Sequence, residues 1–267
     1  MKAAVYRIPG RTHEDHLVAM AGGIASHGIN VEYFGSLPAS DADFCVVWSW
    51  RTGLRVRQYF SRPILCMERG YLGNRFEYTS LGWDGLNGRA RFTKVDDSSR
   101  FDKHFSHLMK PWKETSGYAL IVGQVAGDTA LIGVDIHRWY RDTAVALYKQ
   151  GWDVKFRQHP VEVERGVKLP AVPFAEVLTG SLDDAFADAG LVVSYNSNSG
   201  TDAIMAGVPV HAADKGSMVY NLASRNFNPV KPEREARLHE MAWMQHSLDE
   251  LKSGAAWEIA RESMMDG

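Results

Sequence analysis

The sequence predicts an α/β protein with two domains, each built around a parallel β-sheet. Its 267 residues are enough for two domains of about 100 to 150 residues each. Apolar runs such as PILCME and GLVVSYN are continuous rather than alternating, which is typical of parallel strands covered on both faces. Strand-like and helix-like segments also alternate in two separate series, and this pattern predicts two sheets.

The first series begins with a strand at Ala3–Ile8 and a helix at about Leu17–His27, which Gly28 ends. Further strands are predicted in NVEYFGS, DADFCVVWSW and PILCME, with a helix in GLRVRQYFS. From Arg69 to about Gly117 the chain is rich in glycine, arginine and aromatic residues and has no clear period. Long irregular segments in compact domains are usually functional, so we predict a functional insertion here.

The second series begins at Tyr118, where regularity returns. Strands are predicted in YALIVGQ, DVKFRQHP, GLVVSYN and VPVHA, and helices at about His137–Gln150 and in SLDDAFADA. Late helices around Glu233–His246 and Leu248–Met264 are expected to pack across the faces of this second sheet.

The two series predict two domains that face each other across a cleft. The first covers residues 1–115, with its insertion at about 69–115, and the second covers residues 116–267. They are expected to join near residues 110–118. In open parallel sheets, ligands bind beyond the carboxyl ends of the strands, so we expect functional side chains there.

Charge is unevenly distributed although the formal net charge is only −2. Between Arg51 and Lys113 there are 13 Lys or Arg and 6 Asp or Glu, a net charge of +7. From Ser116 onward there are 14 Lys or Arg and 20 Asp or Glu, a net charge of −6. This pattern fits either scattered charges on a solvated surface or a basic face that meets a polyanion.

The two cysteines, Cys45 and Cys66, lie in apolar strand-like runs and are expected to be small core residues without a disulfide. No signal peptide precedes the first strand, and no apolar run approaches the length of a membrane span. We therefore expect a cytoplasmic protein with no membrane partner.

A loop of small polar residues, Asn196–Thr201, stands where a predicted strand ends and a helix begins. The amide hydrogens at a helix start can hold phosphate without a basic side chain. One capping residue satisfies a helix, whereas four possible caps and donors occur here. They are Asn196, Ser197, Asn198 and Ser199. Gly200 is expected to let a ligand approach the backbone closely. The loop therefore predicts a phosphate site.

Other polar residues stand at equivalent strand ends of the second series. Arg157 and His159 end one strand, Gln124 and Asp128 follow another, and Ser181 is a predicted helix N-cap. We expect all of them to converge on the crevice that holds the phosphate.

The sequence from RQHP to VPVHAADKGSMVYNLAS resembles the nucleotide-sugar-binding domain of GT-B glycosyltransferases, specifically the capsule-polysaccharide, Kdo-transferase-like branch. The resemblance covers roughly residues 118–225. It implies that His159 contacts the donor phosphate or sugar and that Ser181 contacts the nucleobase end. It further implies that the serines and asparagine at 197–199 bind the diphosphate. Asp202 stands where many GT-B enzymes carry a glutamate that binds the donor ribose or sugar.

The first half is similar in character to virus-encoded transferases that glycosylate hydroxymethylated pyrimidines in DNA. GT-B enzymes bind the acceptor on this domain, which implies an acceptor site after its strands and in the insertion. The candidate acceptor residues are Trp48, Trp50, Arg51, Arg69, Arg75, Trp83, Asn87 and Arg89. Trp48 and Trp50 fit packing in the core or at the domain interface as well as they fit an acceptor site. Arg51 also fits the solvated face of a helix.

Transfer to a hydroxyl group needs a general base or a donor phosphate that takes the proton. Glu68 directly follows the strand in PILCM and is the first candidate, Asp84 is the second, and Glu14 or Asp15 the third. Arg69 and Arg75 could neutralise the leaving diphosphate in place of a metal. The metal-dependent GT-A alternative fits poorly, because Asp41-Ala42-Asp43 precedes its strand instead of following it.

The predicted function is therefore metal-independent transfer of a sugar from a nucleotide-sugar, with UDP-sugar as the expected donor and no cofactor. The net charge of +7 over residues 51–113 favours 5-hydroxymethylpyrimidine in phage-type double-stranded DNA as the acceptor, because phosphate contacts dominate affinity for nucleic acid. The protein would then lie in the host cell cytoplasm. The alternatives are a saccharide acceptor, a GT-B-fold sugar-nucleotide epimerase and a non-catalytic nucleotide-binding module.

Overall fold

The computed structural model describes residues 1–11, 13–36, 41–114 and 117–264. The chain forms two compact units. The first unit comprises residues 1–105 and 236–267, and the second comprises residues 106–235. The predicted border at 115/116, which includes two positions outside the described residues, is replaced by a chain that leaves the first unit at residue 105 and returns to it at residue 236.

The first unit contains a six-stranded mixed sheet with the strand order β11-β5-β4-β3-β1-β2. Its strands are β1 (Lys2–Tyr6), β2 (Asn30–Phe34), β3 (Phe44–Trp48), β4 (Ile64–Arg69), β5 (Tyr78–Trp83) and β11 (Gln245–Ser247). Its helices are α1 (Glu14–Ser26), α2 (Trp50–Arg57), α3 (Ser99–His104), α8 (Glu235–Trp243, which starts at the border), α9 (Leu248–Ser253) and α10 (Ala255–Ala260). Strands β1 to β4 run parallel, whereas β5 is antiparallel to both β4 and β11.

The second unit contains a five-stranded, fully parallel sheet with the order β10-β9-β6-β7-β8. Its strands are β6 (Tyr118–Val122), β7 (Val154–Arg157), β8 (Ala175–Val177), β9 (Ala189–Ser194) and β10 (Val210–Ala212). Its helices are α4 (Ile136–Lys149), α5 (Pro160–Glu164), α6 (Leu182–Ala187) and α7 (Ser199–Met205).

Both faces of the first sheet are covered, as the continuous apolar runs predict. Side chains alternate across a strand, so Val46 and Leu65 face the core under α1, while Cys45 and Cys66 face the core under α2. Both cysteines are buried and unbridged, and burial raises the pKa of the Cys45 thiol to about 12.

Part of the predicted insertion belongs to the sheet. Residues 78–83 form strand β5, which is buried along nearly its whole length. Its sequence, YTSLGW, offers only small or polar residues at three central positions, so its pattern does not identify a core strand. Because β5 runs antiparallel to β4, the residues that follow it return to the amino edge of the parallel strands.

The C-terminal helices pack on the first sheet, and the prediction that they cover the second sheet is wrong. Leu251 and Trp257 are fully buried in the core formed with α1. The sequence expected to be helical up to His246 contains strand β11 at its end, which extends the first sheet. These residues complete an apolar face that residues 1–105 alone leave uncovered. Among the described helices, none is long and apolar enough to cross a membrane.

Candidate functional site

The carboxyl ends of β6, β7 and β9 are neighbours in the second sheet. The Gly123 N–H donates to the Arg157 carbonyl at 2.8 Å, which joins the loops after β6 and β7. A Cβ atom at Gly123 would lie 2.9 Å from the His159 nitrogen, so only glycine permits this approach. The structure thus places the loops with the predicted donor residues at one sheet edge.

Gln124 and Asn196 clamp two of these loops together. The Gln124 Nε2 donates to Asn196 Oδ1 at 2.9 Å, and the Asn196 N–H donates to Gln124 Oε1 at 3.1 Å. The Asn196 Nδ2 also donates to the Ala130 carbonyl and to Asp214 Oδ1, at 2.9 and 3.0 Å. Both residues are buried and hydrogen-bond each other, so they position the loop, and their predicted contact with a donor stays a prediction.

Three neighbouring residues of the polar loop form a half-buried surface at this edge. The Ser199 N–H donates to Ser197 Oγ at 3.2 Å, and the two hydroxyl oxygens are 3.2 Å apart. Asn198 Nδ2 donates to Asp202 Oδ1 at 3.4 Å. These four side chains, Ser197, Asn198, Ser199 and Asp202, lie where the prediction places the donor phosphates and sugar. Helix α7 has only seven residues, so side chains and loop amides, rather than the helix dipole, are the main groups that could bind a ligand.

Gly200 is buried and serves packing, which corrects its predicted role in ligand approach. A Cβ atom there would lie 3.2 Å from Val219 Cγ2 and 3.3 Å from Ser194 Oγ. The missing side chain therefore lets α7 lie close to the end of β9.

His159 has a defined tautomer at this edge. Its Nδ1 accepts a hydrogen bond from the Val161 N–H at 3.2 Å and caps α5. In a neutral imidazole the proton then lies on Nε2, which makes that atom a donor. A donor of this kind suits a phosphate oxygen.

Three other predicted donor residues have structural roles. Ser181 forms a capping box with Asp184 at the start of α6, as its predicted N-cap role requires. Asp128 caps a short 3-10 turn through a 3.1 Å bond from the Ala130 N–H. Arg157 donates to the Gly180 carbonyl at 2.9 Å and so connects the end of β7 to the residue before Ser181.

Two carboxylates near this edge were missed. Asp214 accepts from Asn196 and from the Gly216 N–H at 2.9 Å. Glu162 is 3% exposed and accepts from the Ala126 N–H at 2.9 Å. Asp214 follows β10 by two residues. Other donor candidates are predicted for the same reason, because they are polar residues that come just after a strand. No pattern distinguishes Glu162 from the neighbouring exposed Glu164.

A second group of side chains lies at the carboxyl edge of the first sheet. His13 stacks on Trp48 with ring centroids 4.1 Å apart, and Arg69 lies over the same indole at 5.4 Å. Arg69 Nη2 lies 3.3 Å from His13 Nδ1. His16 Nδ1 lies 2.7 Å from Thr79 Oγ1. We call His13, His16, Trp48 and Arg69 the His-Trp-Arg cluster; its two histidines were not predicted.

Burial and the Arg69 charge lower the pKa of both histidines of this cluster. The nearby Asp15 carboxylate opposes this effect at His16. Glu14, a further candidate base, instead accepts from the Arg7 Nε at 2.7 Å and from the Gly10 N–H at 2.7 Å.

Glu68 lies near the same edge but on the other face of the sheet, because successive side chains of a strand alternate. Its Oε1 accepts from the Trp50 N–H at 3.3 Å. Trp50 packs against the core under α2, and Arg51 is exposed on that helix. Arg75 donates to the Gly70 carbonyl at 3.0 Å in the turn that follows β4.

Asp84 and its neighbours are at the opposite edge, which corrects their predicted place in an acceptor site. Asp84 accepts from Arg57, from the Ile64 N–H at 2.9 Å and from Arg91 at 2.7 Å. Trp83 is 1% exposed, and its Nε1 donates to the Ala260 carbonyl at 2.7 Å. Asn87 and Arg89 form the 3-10 turn beyond it. The antiparallel direction of β5 explains this placement.

At least three of the thirteen cationic residues in residues 51–113 are engaged in ion pairs inside the first unit. Arg57 and Arg91 pair with Asp84. Arg100 is 8% exposed, pairs with Glu250 and donates to the Gln245 carbonyl at 2.8 Å. Without these three arginines and Asp84, the segment contains 10 Lys or Arg and 5 Asp or Glu, a net charge of +5 instead of +7. Within the described residues, no three His, Cys, Asp or Glu side chains are grouped so as to hold a metal ion.

No protein-family model matches the sequence, and no curated protein matches it. Two solved structures from Thermosulfurimonas dismutans are similar to nearly the whole chain. KpsC, beta Kdo 2,4 transferase, has a TM-score of 0.64 at 14% identity and covers 92% of each chain. KpsC, beta Kdo 2,7 transferase, has a TM-score of 0.57 at 13% identity and covers 97% of this chain and 99% of that one.

A UDP-GlcNAc 2-epimerase from Methanocaldococcus jannaschii, solved with UDP-GlcNAc and UDP, has a TM-score of only 0.31 at 10% identity. It covers 90% of this chain and 98% of that one, and its low score supports no argument. The two KpsC structures show the fold, which confirms the predicted fold class. The chain has the α/β fold of GT-B glycosyltransferases, with two units that each contain parallel strands.

Proposed function

We propose that the protein transfers a glycosyl group from a nucleotide-sugar donor to a hydroxyl group of a saccharide. The observation that carries the proposal is the set of polar groups at the carboxyl edge of the second sheet. There the His159 Nε2 donor and the half-buried 197–199 segment accompany a rigid Gln124–Asn196 clamp. A glycosyltransferase-like fold supports this interpretation, since its ligands are expected at that edge.

In this proposal the donor diphosphate lies against Ser197 and Ser199, with their hydroxyl groups and loop amides as hydrogen-bond donors. His159 donates to a phosphate oxygen through Nε2, and Asp202 contacts a donor hydroxyl. The clamp holds the loop in position before the donor arrives, and such preorganisation reduces the free-energy cost of binding.

For the acceptor we propose a saccharide in preference to hydroxymethylated DNA. The two KpsC structures that share the fold are Kdo transferases. The DNA prediction instead depends on the positive charge in residues 51–113, of which Arg57, Arg91 and Arg100 are engaged in ion pairs. A duplex needs exposed cations along its phosphates. The His-Trp-Arg cluster and Glu68, at the carboxyl edge of the first sheet, are the proposed acceptor groups. Glu68 is the proposed general base.

We further propose that transfer needs no metal, with the hydroxyl groups and backbone amides of the 197–199 segment stabilising the leaving diphosphate. Excess EDTA should then leave the rate unchanged. A rate that EDTA abolishes and magnesium restores would contradict this part of the proposal.

The test is mass analysis of acceptors after incubation with nucleotide-sugars. A panel of UDP- and CMP-sugars is supplied with either an oligosaccharide mixture or hydroxymethylated DNA. We expect a mass gain of one sugar on an oligosaccharide. Gain on DNA alone would restore the DNA acceptor, and conversion of the donor without any acceptor would favour an epimerase. No turnover and no thermal stabilisation by any nucleotide would contradict the proposal.

Variants locate the donor site in the same assay. Ser197→Ala combined with Ser199→Ala should weaken nucleotide binding by about tenfold, the effect of losing about 1.4 kcal/mol of hydrogen bonding. The matched control is Ser61→Ala combined with Ser253→Ala, two exposed serines of the first unit. Equal affinity in both double variants would place the donor elsewhere.

A further inference from the structure

A cavity beside the turn from α4 into β7 lies apart from the candidate donor residues. Its volume is about 650 Å³, and it is lined by Gln150, Gly151, Trp152, Asn226 and Asn228. Small-molecule sites span about 300 to 1,000 Å³. Gln150–Trp152 precede the amino end of β7, whereas His159 follows its carboxyl end. The two features therefore belong to opposite ends of this strand.

The lining is uncharged and rich in amide groups. The side chains of Gln150 and Asn228 make no hydrogen bond within the described part of the chain. Asn226 Oδ1 accepts from the Asn228 N–H at 3.3 Å, which leaves its Nδ2 hydrogens as donors. An amide offers both donors and acceptors, and a hydroxyl group also acts as both. The cavity thus offers the partners that a polyhydroxylated ligand needs.

Aromatic surface accompanies these amides. Trp152 packs partly against the core of the second unit. Tyr148 and Phe174 stack with centroids 4.1 Å apart and planes at 7°, although they are 53% and 57% exposed. Tyr148 lies two residues before Gln150. Phe174 precedes β8, whose register places it next to the turn before β7. Flat aromatic faces provide apolar contact area beside polar groups, which matches the faces of a sugar ring.

Two phenylalanines near this turn have a left-handed backbone. The φ angles of Phe174 and Phe227 are 63° and 60°. Such a conformation costs about 1 to 3 kcal/mol and persists only where its surroundings hold it. The Phe227 ring packs against the second core and lies 4.3 Å from the His211 ring. This anchor fixes the segment that carries Asn226 and Asn228.

We propose that this cavity is an accessory site for a neutral oligosaccharide. The amides bind hydroxyl groups, and the Trp152 indole contacts a ring face. The Tyr148–Phe174 pair lies outside the lining and contacts a sugar unit that extends beyond the cavity. A neutral sugar is favoured because no cation lines the cavity to pair with a carboxylate. The site is independent of the proposed transfer reaction.

The test presents the labelled full-length protein to an array of neutral and acidic glycans. The neutral glycan that binds most strongly is then titrated by ligand-observed NMR. Gln150→Ala combined with Asn228→Ala should weaken its binding at least tenfold, and Tyr148→Ala should weaken it severalfold. Gln58→Ala combined with Asn221→Ala, two exposed amides elsewhere, should leave binding unchanged. A rise in NaCl from 50 to 500 mM should change the Kd less than twofold.

Three results would overturn the proposal. They are no neutral glycan above background, equal binding by the two double variants, and binding of acidic glycans only. Thermal melting checks that every variant is folded. Nucleotide-induced stabilisation, measured on the same samples, reports the donor site separately. Its absence with glycan binding intact would overturn the proposed transfer reaction and leave the accessory site supported.

Discussion

Arg69 contributes to the lowered pKa of two histidines in the His-Trp-Arg cluster. Burial of the rings is the larger cause and the Arg69 charge the second at both His13 and His16. Arg69→Gln should raise both pKa values, because it removes the repulsion between the guanidinium and each imidazolium. Histidine NMR titration measures this shift. Arg55→Gln, on an exposed position of α2, is the matched control and should leave both values unchanged.

A cluster that binds the acceptor gives Arg69→Gln a second consequence. We expect the KM for the acceptor to rise while nucleotide affinity stays constant, because the donor groups belong to the other unit. Raised histidine pKa values with an unchanged acceptor KM would show that the cluster is structural only.

Asp84 is a structural residue, and its replacement should affect stability rather than catalysis. Asp84→Asn keeps a residue that tolerates the φ angle of 56° but removes the charge shared by Arg57 and Arg91. The free energy of unfolding should fall by about 1 to 3 kcal/mol, as measured by urea denaturation. Asp15→Asn, at an exposed position, should change it by less than about 0.5 kcal/mol. Unchanged stability with lost turnover would restore Asp84 as a catalytic candidate.

Residue types alone predict which loops meet at the carboxyl edge of the second sheet, but not which groups each side chain contacts. The polar loop and the His-Pro pair were found because polar residues at strand ends break an apolar pattern. The Gln124–Asn196 clamp could not be predicted, because its hydrogen bonds join residues far apart in sequence. For Gly200 the sequence indicates a need for small size, and the close neighbours in the structure are the side chains of Val219 and Ser194.

At the scale of elements, α10 completes the core of the first unit. Trp257 is fully buried, stacked 4.8 Å from Phe44 and edge-on to Trp83. Trp257→Ala should lower the free energy of unfolding by about 3 to 5 kcal/mol. Tyr59→Ala, 69% exposed, is the control and should change it by less than about 0.5 kcal/mol. A small effect of Trp257→Ala in urea denaturation would contradict the packing of α10 on this sheet.

Strand β10 carries a buried histidine that makes the second unit sensitive to acid. Burial lowers the pKa of His211 to about 4, and Arg225 adds to the effect, while a backbone hydrogen bond involving Ser224 opposes it. In the unfolded chain this pKa is about 6.5. The unfolded state therefore binds more protons below pH 6.5, and stability falls as the pH decreases from 6.5 toward 4.

The expected loss at His211 between pH 7 and pH 5 is about 2 kcal/mol. His211→Leu removes the titrating group, so its stability should decline less over this interval than that of the wild type. Urea denaturation of both proteins at the two pH values measures the difference. Parallel declines would show that His211 does not contribute to acid sensitivity.

The pattern of β5 does not identify it as a core strand, and its direction has the larger consequence for the site. The segment Tyr78–Trp83 contains strand-forming residues, but nothing in it indicates that it runs antiparallel to β4. That direction alone moves Asp84 and Asn87 from the predicted acceptor edge to the opposite one. Most of the parallel strands are predictable because an apolar run is followed by a polar loop, whereas β8, with only three residues, lies in a segment where no strand is predicted.

At the scale of the whole molecule, the fold class was predictable and the chain path was not. Two series of alternating strands and helices indicate two sheets, whatever path the chain takes between them. The return of residues 236–267 to the first unit depends on which apolar face lacks a cover. The sequence shows that the late helices have apolar residues to bury. It does not show which of the two sheets they cover, because that choice is a tertiary contact.

This chain path predicts which fragments fold. Residues 106–235 are one continuous segment and should fold alone, since the unit has its own sheet and core. Residues 1–105 should not, because they lack β11, α9 and α10. Joining residues 1–105 directly to 236–267 should restore folding, because Phe101 lies against His239, with ring centroids 5.3 Å apart, and the two ends therefore lie close together. Dispersed amide NMR spectra and cooperative melting identify the folded fragments. A folded 1–105 fragment, or an unfolded 106–235 fragment, would contradict the division of the chain into these two units.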